Sequence, residues 1–355
     1  MRPPRLARRS VLRLGVSAAA AALVAGRVAA APAPLDPRER RLAGLRRLTA
    51  GGQNAEAYWD ASGTRLIFQS TRPPHACDQI FTMRADGSEQ RLLSTGGRTT
   101  CGFFFPDGRR VIYASTHAAG AACPPPPDRS QGYVWPLYAS WDIFAADAGG
   151  GNLTRLTDND TYDAECAVSP DGRRIVFTSL REGDLDLYVM DADGRNVRRL
   201  TDVPGYDGGP FFSWDGRFIV FRAARPEGRE ELEDYRALLG RGLVRPRRLD
   251  IYLMKADGTE LTRVTQLAGA SFAPFMHPNG RQIVFASNLH DPAGRGFALY
   301  LVNVDGSGLE RVTWGDSFAS FPMFTRDGKR LVFCGNRGVA APRDLDVFVA
   351  DWDDR

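Results

Sequence analysis

Ser169-Pro170-Asp171-Gly172-Arg173-Arg174-Ile175-Val176-Phe177 decides the fold. An Asp-Gly pair supplies the positive φ values of a two-residue hairpin turn, and the apolar run after it reads as a buried strand. The same turn-then-strand pattern recurs at Ser62-Gly63, Asp107-Gly108, Asp215-Gly216, Asn279-Gly280 and Asp327-Gly328. A second turn follows each copy except the last, at Asp86-Gly87, Gly149-Gly150-Gly151, Asp193-Gly194, Asp257-Gly258 and Asp305-Gly306. Each unit is therefore four antiparallel strands, named a to d from the inside outward. Repetition of such a unit implies a propeller.

The ends of the repeat close the ring. Arg47-Leu48-Thr49 matches the d-strand ends Arg155-Leu156-Thr157 and Arg199-Leu200-Thr201, with no a, b or c strand before it. Leu345 to Ala350 reads as a c strand with no d strand after it. The two pieces complete one blade and remove an open sheet edge. The expected fold is all-β: a six-bladed propeller over residues 45–352, closed by an N-terminal strand that completes the last blade.

Length variation sits between strands b and c. Residues 117–140 carry Cys123 and Pro124 to Pro127, then Tyr133, Trp135, Tyr138 and Trp141. Residues 223–249 carry a predicted helix from Glu227 to Leu239, with Gly240 as its stop. In a propeller the b–c and d–a loops share a face, so one face is elaborated and the other plain. Rich in Tyr and Trp, the insertions would form a partner-binding lip, or else each would roof its own blade.

The 355 residues are 43% apolar and 25% charged, which excludes a disordered or multi-span membrane chain. The formal charge of +4 comes from the first 31 residues, which hold six arginines and no acid. Removing six from 46 basic residues leaves 40 against 42 acids, so no field gathers nucleic acid. Residues 1–31 read as a signal peptide, with Arg8-Arg9-Ser10-Val11-Leu12-Arg13 close to a twin-arginine motif. The expected product is periplasmic or secreted, monomeric and not inserted in a membrane.

Through Ser169 to Phe177 and Met190-Asp191-Ala192-Asp193-Gly194, the chain resembles the TolB-like β-propellers of bacterial periplasmic proteins. The resemblance covers roughly residues 45–352 and implies a protein or peptide partner in the cell envelope, met at the channel mouth. Glu56, Asp163, Glu165 and Asp207 recur just before strand a, a placement expected at that mouth. They would receive a basic peptide or a hard cation, or simply cap loop backbone. No cofactor is expected on this reading.

The rival expectation is a metal-dependent lyase or hydrolase of acidic saccharides. His75, His117 and His290 fall in b–c segments and would hold a divalent metal ion. Oligogalacturonate lyases, which share a TolB-like fold, resemble this arrangement with a metal held by histidines at the propeller mouth. Gly315-Asp316-Ser317-Phe318-Ala319 lacks the last glycine of a nucleophile elbow and has a repeat partner in Gly269 to Ala273. A serine hydrolase is therefore not expected. Of the five cysteines, Cys77 and Cys101 are the expected disulfide, with Cys101–Cys123 the next choice and Cys334 a buried free thiol.

Overall fold

A computed structural model describes residues 30–130, 132–315 and 318–354. The expected signal peptide lies almost wholly outside the described residues. Five sheets around the ring have four strands in sequence order, as in blade 3 with Asp163–Val168, Arg174–Ser179, Asp186–Asp191 and Arg198–Arg199. The sixth is the closing blade. Ala319–Phe324, Arg330–Gly335 and Asp346–Trp352 supply strands a, b and c, and Leu42–Arg47 pairs antiparallel with the last as strand d. Ala31–Pro32 then adds to the outer edge of Leu42–Arg47. The N-terminal closure read from Arg47-Leu48-Thr49 is present.

One hydrogen bond explains why each d strand ends in a hydroxyl residue, Thr in five blades and Ser in blade 1. In every blade the second residue of strand c donates its backbone N–H at 2.9 Å to the hydroxyl that ends strand d, from Ile143 to Thr157 and from Val347 to Thr49, with Ser94 serving in blade 1. The arginine two places earlier reaches the acid that opens strand c in four blades, including Arg199–Asp186 at 2.6 Å and Arg47–Asp346 at 3.6 Å. A buried carboxylate held this way keeps the short d strand on the sheet. Between blades the core is aromatic and aliphatic, with Phe68, Phe177, Phe221, Phe285 and Phe333 all fully buried on strand b.

Strand a carries a feature the repeat pattern did not reveal. Its pairing with strand b slips at the same place in all six blades, and one residue there adopts positive φ: Glu56, Cys101, Glu165, Gly209, Ala273 and Phe321. A β-bulge inserts one residue and re-aims its side chain. Left-handed φ costs a non-glycine residue about 1 kcal/mol, so five such residues in register mark a position fixed by the architecture. Two residues further on, Tyr58, Phe103 and Phe211 meet with ring centroids 5.1–5.9 Å apart, and Phe275 joins Phe211 at 5.6 Å. These rings plug the channel and leave a blind well on the loop-rich face.

The two insertions meet each other. Trp135–Pro136 pairs antiparallel with Leu243–Val244, and Arg241 bonds Asp128 at 3.1 Å. The helix Gly228–Leu239 buries Leu238 against Val134 and Leu243, and its Tyr235 hydroxyl donates to Asp184 in blade 3. Leu137, Trp141, Tyr162, Tyr206 and Val244 form one buried cluster. Insertions of blades 2 and 4 thus build a shared roof over blade 3, in place of each covering its own blade.

The disulfide also differs from the expected Cys77–Cys101 bridge: Cys77 is bonded to Cys123, with Cα atoms 6.0 Å apart. Cys101 occupies a bulge on the innermost strand, away from both. After leaving blade 2 the insertion doubles back over the preceding d–a loop, where Gly97 N–H meets the Ala121 carbonyl at 3.0 Å. That return brings Cys123 to the b–c loop of blade 1. Cys101, Cys166 and Cys334 are free thiols, the last fully buried as expected.

Candidate ligand site at the roofed channel mouth

Between the bulge ring and the roof lies a cavity of about 900 Å³. Trp135, Tyr138, Tyr162, Phe272, Phe297 and Phe321 supply much of its wall, and Glu56, Glu165, Cys101 and Arg222 reach it from below. Asp78, Arg98, Arg295 and Leu345 also line it, so b–c and d–a loops do share this face. On the plain face the channel leaves only about 20 Å³, among Trp59, Pro170, Trp214 and Met323.

Glu165 is the most heavily bonded group at the floor. Its carboxylate accepts from the Tyr206 hydroxyl at 2.8 Å, the Gly209 N–H at 2.7 Å and the Thr178 hydroxyl at 3.0 Å, and it pairs with Arg222 at 2.6 Å. Arg222 comes from strand b of blade 4, bonds Tyr206, and lies 5.3 Å from the centre of the Trp135 ring. Burial opposes the Arg222 charge, but the Glu165 carboxylate and Tyr206 more than offset it and raise its affinity for the proton. A Cβ on Gly209 would come within 2.0 Å of the Arg222 guanidinium, and one on Gly208 within 2.4 Å of the Glu165 carboxylate. The Gly208-Gly209 pair is what lets this network form.

Glu56 stands differently. Arg222 is committed to Glu165 and Arg98 to Asp78, and among the described residues no Lys or Arg lies within ion-pair distance of Glu56. Burial pushes its carboxyl up to about 7, the neighbouring Cys101 thiol pulls it down, and the nearby Glu165 adds to the rise.

The four expected mouth acids thus divide into two pairs. All four lie inside strand a, and only Glu56 and Glu165, on the bulges, reach the cavity. Asp163 and Asp207, two residues before the bulges, are fully buried structural groups. Asp163 is held by Arg181 at 3.1 Å and Asp207 by Arg225 at 2.5 Å, each arginine standing 18 residues after its acid. Burial pushes the Asp207 carboxyl up to about 7 against the pull of Arg225.

The three histidines are not brought together. His75 packs on Phe81, His117 on Phe144 and His290 on Tyr300, each on the c-strand ring of its own blade. His117 Nδ1 lies 2.8 Å from the Ser115 hydroxyl, and burial lowers the proton affinity of His117 and His290. Among the described residues no three His, Cys, Asp or Glu side chains are grouped to hold a metal ion.

The sequence reading passes over Arg222 and Tyr206, and takes Cys101 for a disulfide partner and not for a group at the floor of the cavity. A signal for Arg222 existed: the partners of its position on the other b strands are Gln69, Ala114, Thr178, Ala286 and Cys334, so an arginine there breaks an uncharged series.

Comparison with known proteins agrees with this architecture. The family model of the TolB β-propeller domain matches residues 137–229, from the insertion of blade 2 to the first residues of the helix in the insertion of blade 4. Among solved structures, a putative TolB from Agrobacterium tumefaciens is 19% identical and covers 85% of this chain and 91% of its own, with a TM-score of 0.54. A gluconolactonase from Xanthomonas campestris is 17% identical, covering 92% and 99%, with a TM-score of 0.59. An oligogalacturonate lyase from Vibrio parahaemolyticus is 13% identical, covering 92% and 98%, with a TM-score of 0.52. Identities this low carry the fold and not the activity.

Proposed function

Since the chain is a TolB-like six-bladed β-propeller, we propose that it is a non-enzymatic binding module whose partner, a peptide or an extended segment of an envelope protein, enters the roofed mouth. The observation that carries this reading is the cavity of about 900 Å³, blind at the aromatic plug and walled by rings from both the roof and the blades. A concave, largely apolar well with a few converging polar groups is the usual form of a binding site. Extended segments also leave backbone polar groups free for partners at the rim, where Gln53 and Arg295 stand.

The reading suits a periplasmic or secreted protein, the location expected if residues 1–31 act as a signal peptide. Among the described residues no helix is long and apolar enough to cross a membrane. It calls for no cofactor and for no assembly beyond one chain.

Display selection of random peptides on the mature chain tests this. Enriched peptides should bind the wild type and lose at least about tenfold in affinity to Trp135→Ala or Phe321→Ala, the usual size of a lost aromatic anchor. No enrichment, or binding indifferent to both substitutions, would overturn it.

A further inference from the structure

We propose that Glu56 anchors a subsite for a cationic group of the ligand, an ammonium or a guanidinium, which enters the well in exchange for a proton. This rests on the reading of the mouth as a peptide site and specifies what chemistry it selects.

Charge balance at the floor carries the argument. Two carboxylates, Glu56 and Glu165, face one guanidinium, Arg222, and that guanidinium is taken by Glu165. An ionised Glu56 would leave one uncompensated negative charge in a well walled by rings, an unfavourable arrangement unless the charge is paired. Protonation relieves it when the well is empty. A ligand cation relieves it when the well is full.

The surroundings suit a cation rather than another polar group. Phe321 and Cys101 flank Glu56 on the bulge ring, and Phe272, Tyr162 and Trp135 present further ring surface to the cavity. Ring faces attract ammonium and guanidinium groups, more strongly where water is excluded. Of the two other lining arginines, Arg98 is held by Asp78 at 3.5 Å, and Arg295 comes from the b–c loop of blade 5, outside ion-pair distance of Glu56 among the described residues.

The groups facing Glu56 set the direction of its pH response. They are Cys101 on strand a of blade 2, Glu165 and Cys166 on strand a of blade 3, Arg222 on strand b of blade 4, Cys334 on strand b of blade 6, Asp78 in the loop before strand c of blade 1, and Tyr58 on its own strand. The buried thiols and Tyr58 hold their protons well above neutral pH, and Arg222 stays charged. Burial pushes Glu56 itself up to about 7. A cation must then displace the Glu56 proton below neutrality, and affinity should rise with pH by up to about tenfold per unit until Glu56 is ionised.

The test uses the mature chain and libraries of capped heptapeptides with one position fixed as Lys, Arg, norleucine or Glu. At pH 8 the Lys and Arg sets should be retained at least about tenfold better than norleucine. That preference should fall toward one at pH 5.5, and at both pH values in Glu56→Gln. The wild-type pH series alone remains decisive if Glu56→Gln does not fold.

Peptides retained without preference for a cation would overturn the subsite and leave the peptide reading intact. Calorimetry with benzylammonium separates the opposite case. Its binding to the wild type but not to Glu56→Gln, with no library retained, would keep the subsite and refute the peptide. If neither binds, both fall.

Discussion

Trp135 in the insertion of blade 2 is the register partner of Val244 in the insertion of blade 4. Joined there, the two longest excursions of the chain become one element, and the Trp135 ring stands edge-on to Tyr206 at 6.1 Å and over Arg222 at 5.3 Å. The roof is thereby coupled to the charged floor beneath it.

The Cys77–Cys123 bond ties the first residues of that roof to blade 1. Closing a loop over a sequence separation of 46 residues stabilises a fold by about 3–4 kcal/mol in the chain-entropy account. Cys123→Ser should lower the melting temperature by several degrees and loosen residues 117–140 in amide exchange. Thiol titration of the unfolded, unreduced protein should find Cys101, Cys166 and Cys334 free.

Arg222→Leu should destabilise the protein by about 3–5 kcal/mol, because it leaves the Glu165 carboxylate without its counter-ion. The double variant Arg222→Leu, Glu165→Gln should recover part of that loss in denaturant titration. Gly209→Ala should behave like Arg222→Leu, since its methyl group occupies the guanidinium position.

Removing residues 30–50 should abolish the monomeric fold. Without Leu42–Arg47 the strand Asp346–Trp352 becomes a free edge, and the Thr49 and Arg47 partners of Asp346 are lost. Size-exclusion chromatography should show aggregate for this truncation and monomer for the chain from residue 30 onward.

Glu56 makes stability fall with rising pH. Its folded value of about 7 lies above the ordinary 4.5 of the unfolded chain, so its contribution is complete in acid and is lost between about pH 4.5 and 7. Relative to wild type, Glu56→Gln should gain stability from pH 5 to pH 8, by at most about 3 kcal/mol and less where solvent reaches the carboxyl from the cavity. Parallel melting of both proteins across that range measures it.

Much of the fold could be read from Asp171-Gly172 and its five counterparts, because a hairpin turn is a local requirement with a local signature. The split blade was equally legible, since Arg47-Leu48-Thr49 repeats the hydroxyl that every d strand supplies and the guanidinium that pairs with strand c in four blades. What escaped was non-local. Simple strand alternation puts Asp163 and Glu165 on one side of the sheet, but the bulge at Glu165 turns it into the channel while Asp163 stays with Arg181. Cys123 found Cys77 because the insertion folds back on itself, a path that no spacing between repeats encodes. Gly208-Gly209 was visible as sequence, yet its purpose emerges only once Arg222 and Glu165 are seen to occupy the space it leaves.

Amide exchange of the chain from residue 30 onward, with and without a selected peptide, tests the central claim most directly. Binding in the roofed mouth predicts protection in residues 133–141 and 243–249 and in the strands bearing Glu56 and Glu165. Protection confined to the plain face, at turns such as Asp171-Gly172 and Asp215-Gly216, would contradict it.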